Sequence, residues 1–211
     1  SILGGIATIG NTPTSISITG NVYTLGISVT SSPTGDEVIT VVPSSTTAIY
    51  DASDNTASTT QSNNTVALNE RISPVVTFSP LNGSIGVALN TNITLTFNEP
   101  IRHVDNNEIT DSSVDALLRL KTPIHSGTDI PFDATIDADK KVITINPTSD
   151  LAYTQTVWVG IGESVEDTLN NAMFSAAASF TATDTNRTPK MSAYGNQTTF
   201  EDVAITLILM A

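Results

Sequence analysis

Asp167-Thr168-Leu169-Asn170-Asn171 restates, 116 residues on, the acidic turn Asp51-Ala52-Ser53-Asp54-Asn55. The same offset separates Arg71, in the link Asn69-Glu70-Arg71-Ile72-Ser73-Pro74, from Arg187 in Asn186-Arg187-Thr188-Pro189. One spacing that fits both a turn and a link marks a repeated unit, so the chain reads as a slice of a tandem array. The phrase Val-Ile-Thr, at Val38 and again at Val142, offers a competing register. It lies 13 residues before Asp51 but 25 before Asp167. The strand beginning at Val38 is therefore matched to residues 155–161, and Val142 to the stretch 22–29.

Outward from these landmarks the chain is a series of short strands. In residues 1–70 the spans 15–18, 22–29 and 37–42 alternate or run apolar, separated by turn chemistry at Gly20-Asn21 and Ser32-Pro33-Thr34-Gly35-Asp36, and a strand at 61–68 closes the unit. Residues 75–184 supply strands at 75–78, 92–97, 132–136, 141–145, 155–161 and 178–182, whose spacing predicts a Greek-key sandwich. One short helix is predicted at 112–118, with Ser112 or Ser113 as its cap and Leu117 and Leu118 facing inward. Trp158 is expected in or against the core.

Composition agrees and excludes several classes. Of 211 residues, 39% are hydrophobic and 14% charged, which suits strands with hydroxyl-bearing outer faces. With 8 Lys+Arg against 21 Asp+Glu and a net charge of −13, the chain lacks the clustered cations that nucleic-acid binding needs. There are 0 Cys, so disulfides, zinc–thiolate sites and cysteine nucleophiles are absent. The longest apolar run, at 203–211, is too short to span a bilayer, and no membrane insertion is expected.

Residues 75–184 resemble the bacterial Ig-like repeats of S-layer and surface adhesin proteins. The phrases that carry the likeness are Ser79-Pro80-Leu81-Asn82-Gly83, Ile93-Thr94-Leu95-Thr96-Phe97-Asn98-Glu99-Pro100-Ile101, Val142-Ile143-Thr144-Ile145-Asn146-Pro147, Leu151 with Thr156-Val157-Trp158-Val159, and the Asp167–Asn171 turn. The family's last phrase usually ends in Gly-Asn; Asn170 stands in for that glycine, and Asn tolerates the left-handed conformation. Residues 1–70 resemble the latter part of a related repeat. Residues 193–211, with Phe200-Glu201-Asp202-Val203-Ala204-Ile205-Thr206-Leu207, resemble the opening strand of a cadherin-like repeat.

The resemblance implies an all-β fold of tandem Ig-like Greek-key β-sandwiches, the first incomplete. The expected organisation is a partial sandwich at 1–70, a linker at 71–74, a complete sandwich at 75–184, a linker at 185–192 and the first strand of another repeat at 193–211. By the 116-residue period, two or three opening strands of the first unit precede Ser1, and the strand at 203–210 is available to complete a neighbouring copy by strand addition.

Chemistry is sparse. His103 and His125 are the 2 histidines and no nucleophile elbow is present. His103, beside Arg102, reads as a ligand, a pH sensor or a solvent-facing loop residue. The oxygen-rich loop Asp105, Asn107, Glu108 and Asp111 is the candidate calcium site, since hard cations want several oxygens together; the same residues also suit a solvated turn. An interdomain calcium site near Glu70 or Asp184 would stiffen a rod.

The functional expectation is a non-catalytic structural or adhesive repeat segment of a large secreted or cell-surface bacterial protein. Its expected partners are neighbouring repeats and a surface glycan. The alternatives are a calcium-dependent, glycan-binding module appended to an exported enzyme, and a hydrolase.

Overall fold

Alternation along Ile93-Thr94-Leu95-Thr96-Phe97 turns Ile93, Leu95 and Phe97 to one side, where all three are buried at 3% exposure or less. The strands around them follow in a computed structural model, which describes residues 1–183 apart from Asn11, Asn21 and Gln61. Asp184, Arg187, the expected linker at 185–192 and the first strand of another repeat expected at 193–211 lie outside the described residues.

The first region holds β1 (Ile2–Leu3), β2 (Thr8–Ile9), β3 (Ser15–Thr19), β4 (Val22–Gly26), β5 (Val29–Thr30), β6 (Val38–Thr40) and β7 (Thr65–Ala67). The second holds β8 (Val76–Ser79), β9 (Ser84–Val87), β10 (Ile93–Phe97), β11 (Arg102–His103), β12 (Leu118–Thr122), β13 (Thr128–Asp129), β14 (Phe132–Ile136), β15 (Val142–Pro147), β16 (Thr156–Ile161), β17 (Val165–Glu166) and β18 (Ala176–Ala182).

In the second region β14-β15-β10-β8 form one main sheet and β13-β12-β16-β18-β9 the other, with β11 and β17 paired as a small third. The inner faces meet in a single core: Leu95 opposite Ile143 and Ile93 opposite Ile145 from one sheet, Leu120 opposite Val159 and Val157 opposite Phe180 from the other. Each such side chain contributes about 1.5–3 kcal/mol by leaving water. The sheets exchange an edge: after β8 the chain crosses to lay β9 parallel to β18, then returns as β10. Gly83 and Gly86, at φ 82° and 75°, make the bends that this crossing requires.

The expected helix at 112–118 is a single 3-10 turn, Val114–Leu117. It stops because Leu118 is already extended and opens β12, whose alternation buries Leu118 and Leu120. Leu117 and Leu118 do face inward, at 7% and 1% exposure, while Ser113 makes no side-chain cap bond.

The first region repeats part of this plan. Strand β6 lies between β1 and β7 as β16 lies between β12 and β18, and the β3–β4 hairpin mirrors β14–β15. In the second region β10 and β8 continue the sheet past β15; among the described residues nothing continues it past β4. Ile16, Ile18, Val22 and Tyr23 are exposed in consequence, and the buried apolar side chains of residues 1–68 are Ala7 and Ile39.

Candidate functional site

The acidic turns fold alike. In the second, Asp167 Oδ1 accepts from the backbone N–H groups of Leu169 (2.7 Å) and Asn171 (2.8 Å), and Asp167 Oδ2 from Asn171 Nδ2 (2.7 Å). In the first, Asp51 Oδ1 accepts from Ser53 (2.8 Å) and Asn55 (2.9 Å), and Oδ2 from Asn55 Nδ2 (2.9 Å). The fourth residue of each is left-handed, Asp54 at φ 62° and Asn170 at φ 70°. Asp and Asn tolerate that region through local hydrogen bonding, which is why Asn170 can stand where glycine would. Short bridges close both loops, Tyr50 opposite Thr56 and Glu166 opposite Ala172.

Burial separates the two. Asp51 is exposed, whereas Asp167 is 1% exposed and sits at the junction between the regions. There Asn171 Nδ2 also donates to Glu70 Oε2 at 2.5 Å, tying the link to the second region. Arg102, on β11, donates from Nε to Glu166 Oε1 and from Nη2 to Asn170 Oδ1, both at 3.1 Å, and holds the far side of the loop. The link is also held to the first region, where the Arg71 N–H donates to Pro33 O at 2.8 Å and Gly35 faces Glu70. A shallow cavity of about 590 Å³ lies beside this knot, between Gly35, Glu70, Arg71, Asn170 and Asn171.

Three carboxylates share the junction and titrate apart. Burial works against the charge of Asp167, but the Asn171 N–H and amide and the Leu169 N–H hold its pKa below the usual value. Burial raises Glu70, the Ile72 N–H opposes it, and a hydrogen bond and charge repulsion from Asp167 raise it further. Glu99 is raised by burial and by the charges of Asp167 and Glu70, with Asn98 and Lys141 pulling it back.

A fourth carboxylate shapes the loop that meets the link. Glu37 is fully buried; its Oε1 accepts from Ile6 (2.9 Å) and Ala7 (3.0 Å), and its Oε2 from Thr34 (2.9 Å) and Gly35 (3.1 Å). Burial opposes its charge, yet these backbone donors, Ala7 foremost, bring its pKa from 4.5 to about 2. Gly5 has no room for a Cβ because the Glu37 carboxylate and the Thr34 hydroxyl occupy the space.

The candidate calcium residues have protein partners of their own. Asp105 accepts from the Asn107 N–H (3.1 Å) and amide (2.8 Å), Glu108 pairs with Lys140 Nζ at 2.8 Å, and Asp111 accepts from the Ile136 N–H at 2.9 Å. Asp105 and Asn107 thus meet in a local turn, while Glu108 and Asp111 reach other elements. Among the described residues no three His, Cys, Asp or Glu side chains are disposed to hold a metal ion.

His103 lies in a strand rather than a loop, with Nε2 3.1 Å from Ser113 Oγ. That is the reach of a nucleophile–base pair. The hydroxyl is, however, built into a turn: Ser113 Oγ accepts from the Thr110 N–H at 3.0 Å and lies 3.2 Å from Thr110 O. Sequence alone does not single out Arg102, Glu99 or Glu37 as structural groups. Glu99 lies within the stretch 93–101 and Arg102 directly follows it, but nothing local marks Glu37, whose partners Ile6 and Ala7 lie 31 and 30 residues away.

Comparison with known proteins places the second region in a family. No curated protein matches the chain. A solved structure of the LD transpeptidase LdtMt1 in complex with imipenem is 24% identical over 53% of this chain, with a TM-score of 0.33; the match spans 40% of the transpeptidase. CopC from Methylosinus trichosporium OB3b is 17% identical over 56% of this chain and 99% of its own, with a TM-score of 0.37. Residues 69–183 match the family model described as bacterial Ig-like domain, more than half of the sequence, and the chain belongs to that family.

Proposed function

We propose that the chain is a non-catalytic structural or adhesive repeat segment of a large secreted or cell-surface bacterial protein, with neighbouring repeats as its main partners. The observation that carries the reading is the doubled loop: two regions build the same Asp–Asn turn on the same strand plan. In the second region, side chains that could do chemistry are spent on that architecture. Asp167 and Asn171 close the loop, Glu70 and Arg102 fasten it, and Ser113 braces a turn. Repeats of this kind stack nearest neighbours, and a fastened link passes orientation from one to the next. Among the described residues no helix is long and apolar enough to cross a membrane.

The test is a turnover screen with ester, peptide and glycoside substrates on the intact chain and on Ser113→Ala. The reading expects no activity in either. Turnover in the intact chain that Ser113→Ala abolishes would overturn it.

A further inference from the structure

The outer face of the β13-β12-β16-β18-β9 sheet carries a feature that a spacer does not need. Register sets Lys121, Trp158 and Ser179 side by side across β12, β16 and β18, and Arg119, Gly160 and Ala177 in the next row. Trp158 is only half-buried. Its six-membered ring lies over Gly160, with Cζ2 and Cζ3 within 2.9 Å of where a Cβ on that glycine would sit. Glycine at 160 therefore lets the indole lie along the sheet. His125, from the loop between β12 and β13, stands beside it with ring centroids 6.1 Å apart and planes at 60°. The small side chain of Ala177 leaves the ground beyond the ring open, and a groove of about 510 Å³ results.

The charge around this groove is the reverse of the chain's. With 21 Asp+Glu against 8 Lys+Arg overall, its lining holds Arg119, Lys121 and His125 and no carboxylate. Lys121 is partly neutralised by Asp129 on the rim, at 2.5 Å. Arg119 is exposed, and its Nη1 donates to the carbonyls of Leu118 (2.7 Å) and Ala116 (3.2 Å); among the described residues it pairs with no carboxylate. Its remaining N–H donors have no partner among the described residues and can grip an anion.

We propose that this groove is a binding site for an anionic saccharide, a sugar ring lying on the exposed Trp158 surface with its carboxylate on Arg119. An aromatic floor with a few placed polar groups, in a space of this size, is the usual make-up of a small-ligand site. The ring supplies apolar contact area at little conformational cost, and a guanidinium matches a carboxylate with two parallel hydrogen bonds. Nucleic acid fits poorly, because a run of phosphates needs more cations than this face offers.

Trp158 is the 1 tryptophan of the chain, so its emission reports the groove directly. The experiment titrates the intact chain with sialyllactose and with a glucuronate oligomer, each beside its neutral counterpart, lactose or a glucose oligomer. The expected result is a saturable emission change with at least one acidic sugar and none with its neutral twin at equal concentration. Arg119→Gln should weaken that binding about tenfold or more, the worth of a charge-assisted hydrogen bond, with the melting temperature unchanged. Trp158→Ala, followed by calorimetry, should abolish it. No response to either acidic sugar, an equal response to the neutral twins, or undiminished binding in Arg119→Gln would each overturn the assignment. The repeat reading stands or falls separately, on the turnover screen.

Discussion

Asn171 donates from one amide nitrogen to Asp167 Oδ2 at 2.7 Å and to Glu70 Oε2 at 2.5 Å, although Glu70 precedes it by 101 residues. One side chain thereby closes a loop and anchors a link. Its counterpart Asn55 makes the same bond to Asp51, without a second carboxylate partner among the described residues.

The pair forms an internal control. Asn171→Ala removes hydrogen bonds to two carboxylates at a buried loop and should lower the stability of the second region by roughly 2 kcal/mol. Asn55→Ala removes the same local bond at an exposed loop and should cost less, about 0.5–1 kcal/mol. Urea unfolding followed by Trp158 emission reads the second region, and amide exchange reads the first. Equal costs at the two sites would mean that burial and the Glu70 contact add nothing.

Acidity should act on the junction with a defined sign. The pKa of Glu70 is raised above 4.5, so the folded state holds its proton more tightly than the unfolded chain, and this contribution to stability declines as pH rises above 4.5. Glu99 acts in the same direction. The pKa of Asp167 is lowered below 3.8; its contribution is present above pH 3.8 and is lost as pH falls through the folded value. Glu70→Gln keeps an acceptor for Asn171 without the charge. Melts from pH 4.5 to 8, read by Trp158 emission, should show a shallower decline in Glu70→Gln than in the parent chain. Parallel curves would contradict the assignment.

Glu37 gives the opposite dependence. Its pKa of about 2 lies below the ordinary 4.5, so the stability it contributes is complete above pH 4.5 and is lost as pH falls toward 2. Glu37→Gln replaces one accepting oxygen with an N–H₂ donor that faces backbone donors. Amide exchange at Ile6 and Ala7, or at Thr34 and Gly35, whichever pair the new amide nitrogen faces, should quicken at neutral pH. Protection unchanged at all four would show that the carboxylate does not organise this loop.

Calcium provides a further check. Asp105, Glu108 and Asp111 each have a protein partner, and no three acidic or imidazole groups converge among the described residues. Millimolar calcium should therefore leave the melting temperature unchanged. A rise that grows with calcium concentration would contradict that expectation.

Much of the sandwich could be read from residues alone because its signals are local. Alternation in 132–136 matches β14, and 92–97 and 155–161 each exceed their strand by one residue. The strands that escaped, β9, β11, β13 and β17, are two to four residues long, too short for periodicity to register. β12 was hidden for another reason: Val114 to Leu118 has apolar spacing that fits a helical turn, and pairing with β16 is what pulls Leu118 onward into a strand. The acidic turns could be recognised as turns, and Asn170 as a left-handed residue, because both properties reside within five consecutive residues. Partners 64 to 101 residues away, such as Arg102 with Glu166 or Asn171 with Glu70, leave no mark on local sequence.

The link is fastened on both sides, Arg71 to Pro33 and Glu70 to Asn171, and we propose that this holds residues 1–68 and 75–183 in a fixed orientation. Residual dipolar couplings of backbone amides in the intact chain test it most directly. The account predicts one alignment tensor for residues 1–68 and 75–183 in the parent chain, and two in Asn171→Ala. Two different tensors in the parent chain would contradict it.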